Sequence, residues 1–174
     1  MTHHHSDHTS GIRAAVSEGV TEIVIHKNNV PYVQELLKRP HTIVPDALAR
    51  KPNAKPVKFV PVDDELVLKD GTMAINLYYV RDNSHADNML MVYFPTGQLL
   101  TQADIYMPDD PRNIVAGYPQ GHGPWNQNVL QNILLRRIQV DRHMPVHGKL
   151  VPHSQFLESA LRLSLMKVTP SGSD

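Results

Sequence analysis

The 174 residues carry seventeen basic and seventeen acidic side chains. That is enough chain for one domain with a real core, and there is no basic surplus to recommend a polynucleotide or an anionic membrane as partner. Cysteine is absent, which excludes disulfides and thiolate metal ligands and leaves the compartment open. No apolar run approaches the length of a bilayer span. The chain as written shows no secretory leader and so reads as soluble and cytoplasmic, with the compartment itself undetermined.

The chain opens on Met1-Thr2-His3-His4-His5-Ser6-Asp7-His8. In an extended segment alternate side chains point the same way, so His3 and His5 can reach one metal ion while His4 points elsewhere. Asp7 and His8 follow just past the point where the chain must turn, and can serve a second ion. Neutral imidazoles and a carboxylate suit zinc, and equally iron, manganese or cobalt. Three histidines after Met1 also match part of a purification tag. A tag, however, is usually a longer uninterrupted run with no Asp-His behind it.

Thr9 or Ser10 then caps a helix over 11–18, with Ile12, Ala15 and Val16 on its buried face and Gly19 as its stop. The ligand turn thereby lies at a helix N-terminus, where the dipole favours the charge of Asp7. Residues 21–26 read as a short buried strand. Pro31 opens a helix to about Lys38, carrying Val33, Leu36 and Leu37, and Pro40 closes it. A further short helix is expected over 45–50, with a Pro- and Lys-rich linker over 51–56.

From Val57 the period becomes strand-like. Stretches 57–62, 65–69 and 73–80 read as a meander, with Asp70-Gly71 as a hairpin turn. A polar turn over 81–88 holds His85. A buried strand over 89–94 and its partner over 99–103 lead into Asp104. Residues 106–124 form a long irregular stretch of the kind that usually serves function. A helix over 125–139 carries Val129, Ile133, Leu134 and Ile138. A short strand over 144–146 delivers His147. Ser154 caps a last helix to Met166, burying Phe156, Leu157, Leu161 and Leu165, and a frayed tail follows.

Three later positions extend the opening motif: His85 in Asn83-Ser84-His85-Ala86-Asp87, Asp104 in Gln102-Ala103-Asp104-Ile105, and His147 in Pro145-Val146-His147-Gly148. Together with His-x-His-x-Asp-His they form an ordered set, and in that order the sequence resembles the metallo-β-lactamase-fold hydrolases from Thr2 to about Met166. The resemblance implies an α+β four-layer αββα sandwich, one domain over 1–166 and a flexible tail over 167–174. Members of that family place several strands before the motif. The resemblance therefore also implies a shortened N-terminus, an incomplete first sheet with an exposed edge, and a homodimer, either simple or with exchanged segments, that covers it.

What the resemblance implies for the site is specific. His3, His5 and His85 hold one ion, Asp7, His8 and His147 hold a second, and Asp104 bridges the two. Asp104 and Asp7 are the expected catalytic carboxylates. Two divalent ions, zinc first and iron or manganese next, held roughly 3.5–4 Å apart share a hydroxide that attacks a carbonyl or phosphoryl centre. A bridging carboxylate at this position resembles the glyoxalase II, lactonase and phosphoesterase branches. With a neutral net charge it points to a small ester: a phosphotriester, a lactone or an activated carboxylic ester. The alternatives are a β-lactam hydrolase of the same fold, an iron-dependent oxidoreductase on the same scaffold, and a non-catalytic truncated binding or assembly module.

Tyr106, His122 and Trp125 are the expected substrate-pocket residues, because their loop follows Asp104 directly. Of the eleven histidines, His26, His41, His143 and His153 match no ligand motif. His4 reads as exposed or supporting, Asp87 as a turn residue, and Asp63-Asp64 as a turn pair.

Overall fold

The computed structural model describes residues 1–51, 55–108 and 123–166, with side chains as far as Leu161. The tail expected over 167–174 lies outside the described residues. Two short helices follow the His-rich opening, α1 (Ser6–Thr9) and α2 (Ile12–Ser17), then strand β1 (Glu22–His26) and helix α3 (Val30–Lys38). Strands β2 (Lys58–Val62), β3 (Glu65–Asp70), β4 (Met73–Tyr79), β5 (Leu90–Phe94) and β6 (Leu99–Thr101) come next. Helix α4 (Gly123–Arg136), two-residue strands β7 (Arg142–His143) and β8 (Val151–Pro152), and helix α5 (His153–Met166) complete the order.

The strands form two sheets. One pairs β1 and β2 in parallel, and the other runs β3-β4-β5-β6-β7-β8. Pairing in the larger sheet is antiparallel except between β6 and β7.

The layering follows from the two-residue period of the strands. On β4 and β5, Leu77, Leu90 and Val92 face the smaller sheet and meet Val24 and Val62. Tyr78, Met89, Met91 and Tyr93 face the other way and pack against Val129 and Ile133 of α4 and Phe156 and Ala160 of α5. On β1, Ile23 and Ile25 turn outward and pack with Val16 of α2 and Val33 of α3. Three apolar seams thus separate four layers, helix–sheet–sheet–helix. Each large apolar side chain sealed in them contributes about 1.5–3 kcal/mol.

The meander expected over 57–80 is only half present. β3 and β4 form the hairpin, with Asp70 opposite Met73 across Gly71 at φ +48°. β2, however, leaves the hairpin and pairs with β1. An alternating apolar strand does not encode which neighbour it takes; here both strands of the small sheet seal the same seam against α2 and α3.

Other expectations shift locally. Residues 47–50 are a turn and not a helix: the Asp46 carboxylate accepts from Ala49 N as a helix cap would, but the backbone bonds that follow, Arg50 N to Asp46 O and Lys51 N to Leu48 O, complete one turn and no more. Arg13 and Ser17, not Ala15, join Val16 on the buried side of α2. Leu134 and Leu161 lie exposed. The strand ahead of His147 forms at Arg142–His143, two residues earlier than expected, because β8 supplies an unforeseen partner. Among the described residues no helix is long and apolar enough to cross a membrane.

Candidate metal centre

Four chain segments converge at one edge of the sandwich, and each is held there by its own backbone bonds. The opening segment is stitched between the sheets: Met1 N donates to Val24 O at 2.9 Å, and Leu90 N donates to Thr2 O at 2.8 Å. This places His3 in the interior, fully buried. His5 precedes α1, its carbonyl accepting from His8 N and from the Thr9 hydroxyl, both at 3.1 Å. That single turn carries Asp7 and His8.

His85 sits on the loop between β4 and β5. Asn83 Oδ1 accepts from His85 N at 2.7 Å, a side-chain turn of the kind Asn favours. Helix α4 clamps the start of the same loop. Asn132 Oδ1 accepts from Arg81 N at 2.9 Å, while the amides of Asn128 and Asn132 donate to Arg81 O. These asparagines were not singled out in the sequence. Their only signal there is two polar side chains four residues apart in an otherwise apolar helix stripe.

Asp104 follows β6 with φ +66°, a left-handed backbone that a non-glycine residue adopts only when its surroundings enforce it. His147 follows β7 and precedes Gly148, whose φ is +127°.

The side chains gather around Asp104. Its Oδ2 lies 3.1 Å from His3 Nε2, 2.9 Å from His8 Nε2 and 3.2 Å from His85 Nε2. Its Oδ1 lies 3.1 Å from His147 Nε2. Asp7 Oδ2 stands 3.2 Å from His8 Nε2 and 3.3 Å from His147 Nε2. The His5 ring is 4.5 Å from that of His3 and 4.8 Å from that of His85, centre to centre. Two groups result, His3-His5-His85-Asp104 and Asp7-His8-His147-Asp104, each with its ligand atoms within 4.8 Å of one another.

Hydrogen bonding alone does not account for this arrangement. His8 Nε2 lies within 3.3 Å of Asp104, Asp7 and His147 Nε2 at once, yet an imidazole nitrogen either donates one proton or accepts through one lone pair. His3 Nε2 is buried and off-line from the Asp104 carboxylate, so it makes no hydrogen bond among the described residues. Converging lone pairs and an orphaned buried nitrogen are what a divalent cation satisfies, and the donor set of imidazoles and carboxylates fits one. Thr2 Oγ1 stands 3.3 Å from His3 Nδ1, which suits a tautomer that leaves Nε2 free to ligate.

The electrostatics run the same way. Burial alone would raise the Asp104 carboxyl, but the imidazoles of His3 and His85 and the charge of His8 outweigh it and hold it far below the usual carboxylate range. Burial, then the neighbouring His3 and His85 rings, push His5 down, favouring the neutral ligand form.

The pocket expectations fare unevenly. Trp125 flanks the site, its ring 4.7 Å from that of His85 centre to centre and its Nε1 donating to Ser84 Oγ at 3.0 Å. Tyr106 does not line the site. It is buried in the core, ring-to-edge with Phe156 and His143, because the turn after Asp104 sends it inward. His122 lies outside the described residues. His143 and His153 pair with each other, Nε2 to Nδ1 at 2.8 Å, away from the ligand set. A separate concavity between α2, α3 and β2 is lined by Val16, Leu37, Val57 and Phe59. Arg13, buried at its wall, has its guanidinium taken up by Asp46 and the carbonyls of Leu36 and Leu37.

Comparison with solved structures places this architecture. The chain is similar to a metallo-β-lactamase from Pontibacter korlensis at TM-score 0.61 and 17% identity, covering 97% of this chain and 67% of that one. It is similar to an archaeal metallo-β-lactamase superfamily protein from Sulfolobus tokodaii at TM-score 0.59 and 14% identity, over 99% and 70%. It is also similar to the chemotaxis sensor ODP, solved as a peroxy diiron species, at TM-score 0.59 and 20% identity, over 94% and 68%. The fold is therefore the metallo-β-lactamase fold, mixed α+β, with a His/Asp cluster that fits a metal site. The chain spans about two thirds of the length of the metallo-β-lactamases it matches. No protein-family model and no curated protein matches the sequence.

Proposed function

We propose that this chain is a metal-dependent hydrolase that holds two divalent ions and cleaves a small ester-type substrate: a phosphotriester, a lactone or an activated carboxylic ester. The observation that carries the reading is the single carboxylate of Asp104, set against four imidazoles from three other segments and common to both ligand groups. His3, His5 and His85 would hold one ion, and Asp7, His8 and His147 the other. Such a pair supplies Lewis acidity and a water acidified toward neutrality, so no protein nucleophile is required.

The chain's own groups set the approach. His3 closes the base of the site, while the side chains of Asp7 and His147 are 55% and 43% exposed. A substrate therefore enters from the Asp7–His147 side. Trp125 stands beside His85 as an apolar wall for the leaving-group portion. Asp7, partly in solvent, is placed to accept or return a proton at that open face. The balance of charge over the whole chain gives no field to concentrate a polyanion, which favours a neutral or singly charged ester.

A second reading has its own support. The ligand set is all imidazole and carboxylate, which iron accepts as readily as zinc, and the fold is shared with a sensor solved as a peroxy diiron species. A diiron oxidoreductase is therefore the competing function.

Elemental analysis of protein purified without a metal-affinity step separates the two, followed by an assay on chromogenic phosphotriesters, lactones and carboxylic esters. Two zinc ions per chain, turnover abolished by chelation, and turnover lost in Asp104→Ala and His85→Ala with an unchanged circular-dichroism spectrum are the expected results. Iron with a visible or EPR signal and no ester turnover would move the assignment to redox chemistry. Full hydrolysis by Asp104→Ala would remove the site from the reaction.

A further inference from the structure

We propose that Gln102 is a positioning residue for the metal centre: its buried side-chain amide locks the left-handed turn that aims Asp104 at both ligand groups. The inference rests on the two-ion reading above and deepens it.

The turn is tight. Ile105 N donates to Ala103 O at 2.8 Å, closing a three-residue γ-turn around Asp104 with its central φ at +66°. Of the two γ-turn hands, the one with positive φ is the rare and strained one. Such a conformation persists only where the surroundings over-determine it. Gln102 supplies that determination. Its side chain is fully buried. Oε1 accepts from Ile105 N at 3.1 Å and from Tyr106 N at 3.2 Å, and Nε2 donates to Tyr106 O at 2.7 Å. Three side-chain bonds from one residue therefore brace the two residues that follow Asp104, and Ile105 N is shared between the turn and the amide.

The same residue reaches the other side of the site. Gln102 O accepts from Val146 N at 2.9 Å, next to His147. The turn that presents the shared carboxylate and the loop that presents His147 thus meet at one buried glutamine. Asp104 Oδ2 faces His3, His8 and His85, and Oδ1 faces His147. A rotation of this turn would disturb both groups together.

A side chain of similar shape without the amide tests this. Gln102→Met keeps the length and the backbone bond to Val146 but removes all three side-chain bonds. The readout is zinc affinity and stoichiometry by competition with a chromophoric chelator, on folded apo-protein reloaded with zinc alone, with no turnover involved. Loss of a partner that orients a metal ligand typically lowers metal affinity about 10–100-fold. Gln102→Met is expected to show a loss of that size for both ions.

The control is Asn126→Leu. It removes another fully buried amide, one that donates to Ser159 Oγ between α4 and α5. It is expected to lower the melting temperature while leaving zinc affinity unchanged. If Gln102→Met does not fold, Gln102→Glu takes its place. Ionised, it keeps the acceptor for Ile105 N and Tyr106 N but sets a carboxylate oxygen against Tyr106 O where the donor stood, so a loss of roughly tenfold or more is expected. Wild-type zinc affinity in the folded Gln102 variant overturns the proposal, as does an equal loss in Asn126→Leu. Failure of the wild-type protein to bind two ions overturns instead the reading on which the proposal rests.

Discussion

Lowering the pH should destabilise this protein through His143, and the size of the effect follows from where that ring lies. His143 is fully buried on β7, stacked on Phe156 and on His153, with its Nε2 2.8 Å from His153 Nδ1. Between two neutral rings that contact is one N–H aimed at one lone pair. A second proton would leave a charged ring in the interior whose Nδ1–H has no hydrogen-bond partner among the described residues. Burial first, and the neighbouring His153 second, push His143 down from 6.5 to about 3. The unfolded chain therefore binds a proton between these values that the folded chain refuses. The stabilisation is fully present above 6.5 and is lost as the pH falls toward 3. Between pH 7.5 and pH 5 this amounts to about 2 kcal/mol.

The assay is urea unfolding of chelator-treated protein at both pH values, for the wild type and for His143→Phe, which keeps an aromatic ring against Phe156 and removes the titrating group. Groups common to both proteins cancel in the difference of differences. The wild type should lose about 2 kcal/mol more than the variant over this interval. Equal losses in the two proteins would refute the argument that His143 is kept neutral by its burial.

Two further outcomes follow from single contacts. At Gly148 an added Cβ would stand 2.9 Å from Pro108 Cδ at a φ of +127°. Gly148→Ala should therefore displace His147 and weaken the Asp7-His8-His147 group about tenfold or more while sparing the His3-His5-His85 group, as read by zinc titration; equal weakening of both groups would contradict it. Asp64 receives a two-point contact from Arg136, whose side chain is only 8% exposed, and a further contact from Arg81. Asp64→Ala should cost about 2 kcal/mol in urea unfolding, kept below the figure for a fully buried pair by the half-exposed carboxylate. The Arg136 hydrogen bonds, acting against burial, hold the Asp64 carboxyl at about 2. That contribution is accordingly present above 3.8 and is lost as the pH falls toward 2.

Much of this protein is written in its linear order. The apolar run over 89–94 and the strand-like stretch over 73–80, with Asp70-Gly71 as the turn before it, could be read as strands from local pattern alone, and β4 and β5 form there. His3 and His5, two apart, and Asp7 and His8, just past the turn, could be read as ligands because local spacing fixes their mutual reach. The resemblance added His85, Asp104 and His147 in order, and the structure brings all seven to one place. Other features were settled only in three dimensions. β2 reads as the first strand of a meander, yet it pairs with β1, since an alternating apolar pattern specifies a face and not a neighbour. Tyr106 reads as a pocket residue by its nearness to Asp104, yet the left-handed turn at Asp104 sends its ring into the core. The asparagines of α4 that clamp the His85 loop, and Gln102 beneath Asp104, look like ordinary polar residues in the sequence. Their roles depend on which backbone groups tertiary packing buries beside them, because a buried donor or acceptor must find a partner, and no local pattern records which one it finds.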